Sequence, residues 1–358
     1  MSEEAKIEWG SRSEDPVLIL NYNNWEQTID GLEKMRGYVP NLWVVDNGSE
    51  VDRTAELSAR FPEVRTLRLS GNRGWAAGYN RALKLFADQG FAAAYLLNND
   101  AVPRRGAVES ALTNLRRHPR IAGVGSVILG MGGDKLRFAG EYYPFMTPEQ
   151  RALADRNQLE IPRGLVPARA LHGAGVAISL DAFREIGPFH EGYFLYWEEA
   201  DWFIRAKQRG WTLYVDGDSV VEHVGGASDS NSNKTYYLSR NRFLAYRRGI
   251  HISGKDETVP WLINSGIQKS RRQKTRSARN AIADGVLDGL LGRTGARPAP
   301  WPGVARGPAI LALRASLIPW RVARKLKRPG AASKLVRALH LEQPVPEQVG
   351  SGPVQHGA

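Results

Sequence analysis

Apolar residues in this chain fall in short runs that stop abruptly at polar clusters. Val17–Asn21 (VLILN) runs into Asn21-Tyr22-Asn23, and Leu42–Val45 stops at Asp46-Asn47-Gly48-Ser49. Val64–Leu69 gives way to Ser70-Gly71-Asn72, and Ala92–Val102 (AAAYLLNNDAV) turns polar at Asn98-Asn99-Asp100. Continuous apolar runs of this length predict strands buried on both faces. Helical periodicity fills the intervals: Trp25 to about Met35, with Asn24 placed to cap it, then Asp52–Arg60, Tyr79–Asp88 and Gly106–Arg117. Alternation of strand and helix predicts an α/β fold, a Rossmann-like, mostly parallel, doubly wound sheet. Ligands of such sheets bind outside the carboxyl ends of the strands. One polar cluster there is a turn; four at the same end predict a site.

The pattern continues less regularly. Ile121–Ile128 predicts another strand, and Gly130–Arg163 an irregular insertion over the site, a lid. Ala170–Ser179 (ALHGAGVAIS) predicts a strand whose Gly173 and Gly175 imply close packing against its backbone. Thr212–Val215 and Val220-Val221-Glu222-His223 predict two more strands, the second ending before Gly225-Gly226. Before them, Tyr193–Trp211 (YFLYWEEADWFIRAKQRGW) sets Glu198-Glu199 among aromatic residues at the start of a helix. One such acid could simply cap the helix. Two carboxyls among aromatic rings suit a raised pKa and a general base. Asp100, flanked by amides, is suited to a hard divalent cation, and His223 at a strand end to the same ion or a phosphate. The loop Ser70–Gly78 follows no Walker or dinucleotide pattern; its glycines suit close backbone approach to a ligand, with Trp75 as a wall.

Composition narrows the classes. There is no cysteine among 358 residues, which excludes disulfides, thiolate metal sites and a Cys nucleophile. The polar N-terminus lacks the apolar core of a secretory signal, and no uncharged apolar run is long enough to span a bilayer. The expectation is a cytoplasmic protein, or one held peripherally on the inner face of the membrane. The net charge of +12 is uneven: Asn264–His340 holds 17 Lys and Arg against two Asp, a surplus of +15 that leaves −3 for the rest. Tyr236–Arg248 is aromatic and basic at helical spacing. Gln268–Arg279 is a basic run, and Ala281–Leu291 and Ala309–Arg328 predict amphipathic helices, the latter with Ile310, Leu313, Leu317 and Trp320 on one stripe. Basic helices of this kind dock on anionic membrane surfaces or pack on the body. The division expected is a flexible N-terminus (1–15), a catalytic domain (16–255), a basic helical extension (256–340) and a disordered tail (341–358).

The ordered set LNYNNW, VVDNGS, GNRGWAAGYN, LLNNDA, HGAGVAIS, FLYWEEADW and EHVGG resembles the inverting GT-A glycosyltransferases of the family 2 type, and within them rhamnosyltransferase-like enzymes of polysaccharide and cell-envelope synthesis. The resemblance spans roughly Pro16–Arg248. It implies a GT-A fold, a nucleotide diphosphate sugar donor (dTDP- or UDP-sugar), a saccharide or lipid-linked acceptor, and Mg²⁺ or Mn²⁺. By position it implies Asn21, Tyr22, Asp46, Asn72, Gly74, Trp75, Asn98 and Asn99 around the donor. Asp100 and His223 fall at the metal and diphosphate, Glu199 at the catalytic base, and Trp197, Glu198, His172 and Gly173 on the acceptor side. Asn98 stands where the family's acidic triplet begins, and the base, usually the Asp of a Glu-Asp pair, is here a Glu. Inverting transfer is a single displacement and needs no nucleophilic side chain. Two other classes compete. A sugar-phosphate nucleotidyltransferase should carry a Gly-rich basic loop after the first strand, where this chain has NYNN. A binding protein for nucleic acid or membrane would rest on the basic tail, but the body holding the polar clusters is slightly acidic, so no nucleic acid partner is expected. A nicotinamide dehydrogenase is disfavoured because the first strand–helix turn has no glycine.

Overall fold

The computed structural model describes residues 14–133, 136–138, 149, 153, 160–224, 231–251 and 258–318. The expected flexible N-terminus (all but its last two residues) and the disordered tail lie outside the described residues, as do most of the lid, Gly225-Gly226 and Trp320. The first half alternates as its sequence predicts: β1 (Val17–Asn21), α1 (Trp25–Met35), β2 (Leu42–Asp46), α2 (Thr54–Arg60), β3 (Arg65–Arg68), α3 (Trp75–Asp88) and β4 (Ala93–Asn98). A short β5 (Ala101–Pro103), α4 (Ala107–Arg117), β6 (Ile121–Gly130), β7 (Leu136–Phe138), β8 (Leu165–Pro167) and β9 (Gly175–Ser179) follow. Then come α5 (Leu180–Ile186), α6 (Glu198–Gln208), β10 (Thr212–His223) and four helices: α7 (Asn231–Arg247), α8 (Val259–Arg271), α9 (Arg276–Leu290) and α10 (Gly303–Ser316).

The main path of the sheet runs β3-β2-β1-β4-β9-β6-β10-β5, with β7 on β6 and β8 on β10. β3, β2, β1 and β4 pair in parallel, as do β6 and β10. β4 lies on the other side of β1 from β2, so the strand order reverses between β1 and β4, the place where open α/β sheets bind ligands. Asn21, Asp46, Asn98 and His223 all end strands that run the same way, and therefore meet at one edge.

The structure corrects several local expectations. Only Gly175–Ser179 of the predicted strand Ala170–Ser179 is strand, and it runs antiparallel to both neighbours. Being reversed, β9 begins at the edge where the parallel strands end, so the loop before it delivers His172 and Gly173 there. The two short strands at the chain's third quarter are one, β10, with an irregular register between Asp216 and Val220. α3 begins at Trp75, four residues before the hydrophobic period suggests, because Gly74 at φ +95 makes the turn that starts it. Asn24 makes no cap bond to α1; its side-chain amide donates instead to Gln27. Asp52 stands outside α2 and accepts from the Thr54 N–H.

Beyond the sheet, α7 and α9 pack together, and Phe243, Ile263, Ile282, Val286 and Leu317 share a small second core. α10 docks there through Leu317 and Leu313. Two buried acids of α9 bind the turn that follows it. Asp288 accepts from Tyr236 Oη (2.7 Å), Trp301 Nε1 (2.8 Å) and Arg293 Nη1 (2.9 Å), and Asp284 accepts from Arg306. Three of the basic residues counted in the extension, Arg293, Arg297 and Arg306, are therefore paired internally. Among the described residues no helix is long and apolar enough to cross a membrane. Removing Asp288 would leave the Tyr236 hydroxyl and the Trp301 N–H without their acceptor, at about 1–3 kcal/mol. Asp288→Ala should lower stability by about that much in urea denaturation; an unchanged midpoint would show that the turn after α9 is not held this way.

Candidate active site

Two hydrogen-bonded groups form at the carboxyl edge of the sheet. At the ends of β1 and β2, Asn21 and Asp46 are fully buried. Asn21 Oδ1 accepts from Thr28 Oγ1 (2.9 Å), and its amide faces Asp46 and Ser49. Asp46 takes Ser49 N–H (3.1 Å) and the Ser49 hydroxyl on one oxygen and pairs with Arg68 through the other. Ser49 and Arg68 were not among the residues expected to act here. Ser49 sits in the VVDNGS cluster, but nothing local marks Arg68 as its partner. Asn72 Oδ1 accepts from Gly74 N–H (2.9 Å) and Asn47 Nδ2 (3.1 Å), which shapes the glycine turn, while Tyr22 stands exposed beside this group. Asn47 Oδ1 is buried with no partner in the protein, so an acceptor points into this region unsatisfied.

At the end of β4, Asn99 reaches Thr28 Oγ1 (3.2 Å), and Asn98 is half-buried. Asp100 Oδ1 lies 2.9 Å from His223 Nε2. They meet because β5, directly after Asp100, pairs antiparallel with β10, setting Ala101 opposite His223. The His172 ring stands edge-on to His223, 5.7 Å between centroids. Burial, with His223 nearby, pushes the His172 pKa down to about 4. It is therefore neutral near pH 7, and its Nδ1 accepts the Ala174 N–H (3.1 Å). Among the described residues no cluster of three acids or histidines is poised around a cation. One carboxylate oxygen and one imidazole nitrogen do suit a cation whose other ligands are phosphate oxygens and water.

The next residue along the chain reaches the acid pair. Gly173 N–H donates to Glu199 Oε1. A Cβ at Gly173 would fall 2.1 Å from that oxygen and 2.6 Å from Trp75 Cζ2, so only glycine fits. Trp75, expected as a wall of the donor pocket, packs on Tyr79 and Phe189 and backs this contact. Trp197, at φ +85, precedes α6 and turns the chain into it. Glu198 is buried, and its Oε2 has no partner in the protein. Burial, then the nearby Glu199, raises the Glu198 pKa; burial also raises that of Glu199, against the pull of Gly173 N–H. The two acids thus differ: at Glu198 the Glu199 carboxyl adds to burial and one oxygen has no partner, so Glu198 is the one that keeps a proton. Asp201, one turn on, is the contrasting case. Burial pushes its pKa up, but Arg248 and Arg205 outweigh this and hold it low. Arg205 Nε lies 2.6 Å and Arg248 Nε 2.7 Å from it.

A carboxyl whose pKa is raised in the folded state adds stability below the ordinary carboxylate range, and that contribution is lost as pH rises through the raised value. Glu198→Gln removes one such group. Its stability should match wild type at pH 5 and exceed it at pH 8, by about 1.4 kcal/mol per unit of upward displacement. Guanidinium denaturation at both pH values tests this; an equal difference at both would mean that Glu198 is not held protonated by burial.

Comparison with known proteins agrees with the resemblance read from the motifs. Residues 17–185 match the profile of Glycosyl transferase family 2. An N-acetylglucosaminyl-diphospho-decaprenol L-rhamnosyltransferase of Mycobacterium tuberculosis is 23% identical over 300 residues, covering 73% of this chain and 96% of that protein. A dTDP-rhamnosyl transferase of Shigella flexneri is 22% identical over 299 residues, covering 78% and 96%. A solved mannosyltransferase from Pyrobaculum calidifontis, in complex with GDP-Man and Mn²⁺, aligns over 92% of this chain and 87% of its own at 16% identity and a TM-score of 0.47. Residues 17–185 thus carry a family 2 glycosyltransferase domain, and the protein is a glycosyltransferase resembling the rhamnosyltransferases of that family.

Proposed function

We propose that this enzyme moves a sugar, rhamnose in the first instance, from a nucleotide diphosphate sugar to a saccharide or lipid-linked acceptor, with inversion and with Glu199 as general base. The observation that carries the reading is the placement of two adjacent residues. His172 packs on the Asp100–His223 pair while Gly173 binds Glu199, so a pair suited to metal and diphosphate and a carboxyl suited to proton removal face one edge of the sheet. The names of the two relatives support rhamnose, and the M. tuberculosis relative's name supports a lipid-linked acceptor.

The residues divide the work as follows. Glu199 takes the proton of the acceptor hydroxyl. The oxygen then forms a bond to the anomeric carbon as the bond from that carbon to the diphosphate oxygen breaks, and the nucleoside diphosphate leaves with the electron pair. A raised pKa suits Glu199 to this step, since a base that holds its proton near neutrality takes one from a hydroxyl more readily. Protonated Glu198 adds no second charge beside it and can donate a hydrogen bond to the acceptor. Asp100 and His223 would hold Mg²⁺ or Mn²⁺, which when bound neutralises charge on the leaving diphosphate. Asn21, Asp46 and Asn72 border the donor, with Asp46 kept in place by Ser49 and Arg68.

Loss of a general base typically costs about 10²–10⁴-fold in rate. Glu199→Gln should lose turnover in that range while binding nucleoside diphosphate normally by calorimetry, and Glu198→Gln should be milder. Near-normal turnover in Glu199→Gln would overturn the assignment.

The extension is read as a contact with the anionic inner face of the membrane, which puts the enzyme in the cytoplasm beside a lipid-linked acceptor. With Arg293, Arg297 and Arg306 paired internally, the main basic cluster among the described residues of the extension is the turn between α8 and α9. Lys269, Arg271, Arg272, Lys274, Arg276 and Arg279 are all exposed there, with no acid in the run. Each basic side chain near an anionic surface is worth about 1 kcal/mol, screened by salt. Changing Arg271, Arg272, Lys274 and Arg276 together to Gln should abolish salt-sensitive co-sedimentation with phosphatidylglycerol vesicles. Equal pelleting of wild type and variant would remove this turn from the membrane contact.

A further inference from the structure

The turn that carries the acid pair is strained, and the sequence between Glu191 and Glu198 does not explain how it is held. Phe194, Tyr196 and Trp197 have φ of +65°, +67° and +85°, although none is glycine. Phe194, with ψ −54°, is the centre of a γ-turn closed by Leu195 N–H to Tyr193 O at 2.8 Å, a rare and strained form. Such conformations persist only where their surroundings over-determine them.

Two residues on α7 supply that constraint. Arg240 and Asn241 are completely buried. Asn241 Nδ2 lies within 3.0 Å of Tyr193 O, 2.8 Å of Leu195 O and 2.7 Å of Tyr196 O, three carbonyls of the strained turn. Arg240 donates to Tyr193 O (2.7 Å), to Gly192 O (3.4 Å) and to Gly295 O (2.6 Å) after α9. Its Nε donates to Asn241 Oδ1 (2.9 Å), which turns the Asn241 amide toward the carbonyls. Among the described residues the acceptors of this buried guanidinium are carbonyls and an amide, with the Tyr236 and Tyr237 rings beside it. A buried charge without a carboxylate is costly, so its presence here calls for a role that neutral packing would not fill. The turn in turn presses on the site: Phe194 O accepts the Trp75 N–H (2.8 Å), and a Cβ on Gly74 would fall 2.2 Å from that oxygen.

We propose that Arg240 and Asn241 are positioning residues for the transfer step, clamping the turn 192–197 so that Glu199 is held against Gly173 and Trp75, and coupling the C-terminal helices to the base. The proposal rests on Glu199 being that base. A displacement of about 1 Å at a reacting group can cost on the order of 10²-fold. Asn241→Ala should therefore lower kcat by about 10–10²-fold with nucleoside diphosphate affinity, read by calorimetry, unchanged. In a Glu199→Gln background, assayed at high enzyme concentration, the same change should cost little more, because the group it positions is gone. Arg240→Lys and Asn241→Ser, which keep charge or one donor, serve if Asn241→Ala does not fold, and should show the same split at smaller size. Losses that multiply in the Glu199→Gln background, or nucleotide affinity falling in step with kcat, would overturn the clamp. Normal turnover in Glu199→Gln alone would instead mark the base assignment as the failure.

Discussion

Everything at the carboxyl edge of the sheet turns on one close contact, that of Gly173 with Glu199 and Trp75. Three separate segments meet there: the glycine turn that starts α3, the loop that enters β9, and the turn before α6. The contact leaves no room for a methyl group at Gly173 and none at Gly74, where Phe194 O comes up against the backbone. Backbone packed this tightly can hold a carboxyl in place without a cation to pin it. That matters for the role proposed for Glu199, because a cation beside it would lower its pKa and make it a weaker base.

Four buried acids of the molecule show the contrast. Asp46, Asp201, Asp284 and Asp288 are all buried, and each is paired with one or two arginines. They hold segments together through these ion pairs. Glu198 and Glu199 have no cation beside them: burial raises both, against backbone N–H groups alone. A buried carboxyl with no cation is costly as an ion, so these two are suited to exchange a proton.

The C-terminal helices take part in the same arrangement. α9 approaches α7 through Gly285 and Gly289, whose missing side chains bring it onto the Tyr236 and Arg240 carbonyls. Arg240 and Asn241 lie between this helix pair and the turn below it. The extension is thus partly a membrane-facing basic surface in the proposed function and partly the back wall of the site.

How much of this was legible in the chain follows from the range of each interaction. Buried strands announce themselves as continuous apolar runs, and the polar residues that end them stand next to those runs, so β1, β2, β4 and their terminal Asn and Asp residues could be read directly. Glu198-Glu199 was legible for the same reason, as two acids among aromatic residues at a helix start. The direction of β9 was not, because the same apolar run suits a parallel or an antiparallel strand and only its neighbours decide. Nor was the start of α3, which depends on a positive φ at Gly74. Above all, the sequence could not say which acids are neutralised: Arg68 lies 22 residues from Asp46 and Arg248 lies 47 from Asp201. Local pattern determined where the strands end and which chemistry stands at their ends. Tertiary structure decided which of those groups is paired with a cation and which is not, because charge compensation and close backbone approach are made by partners distant in the chain.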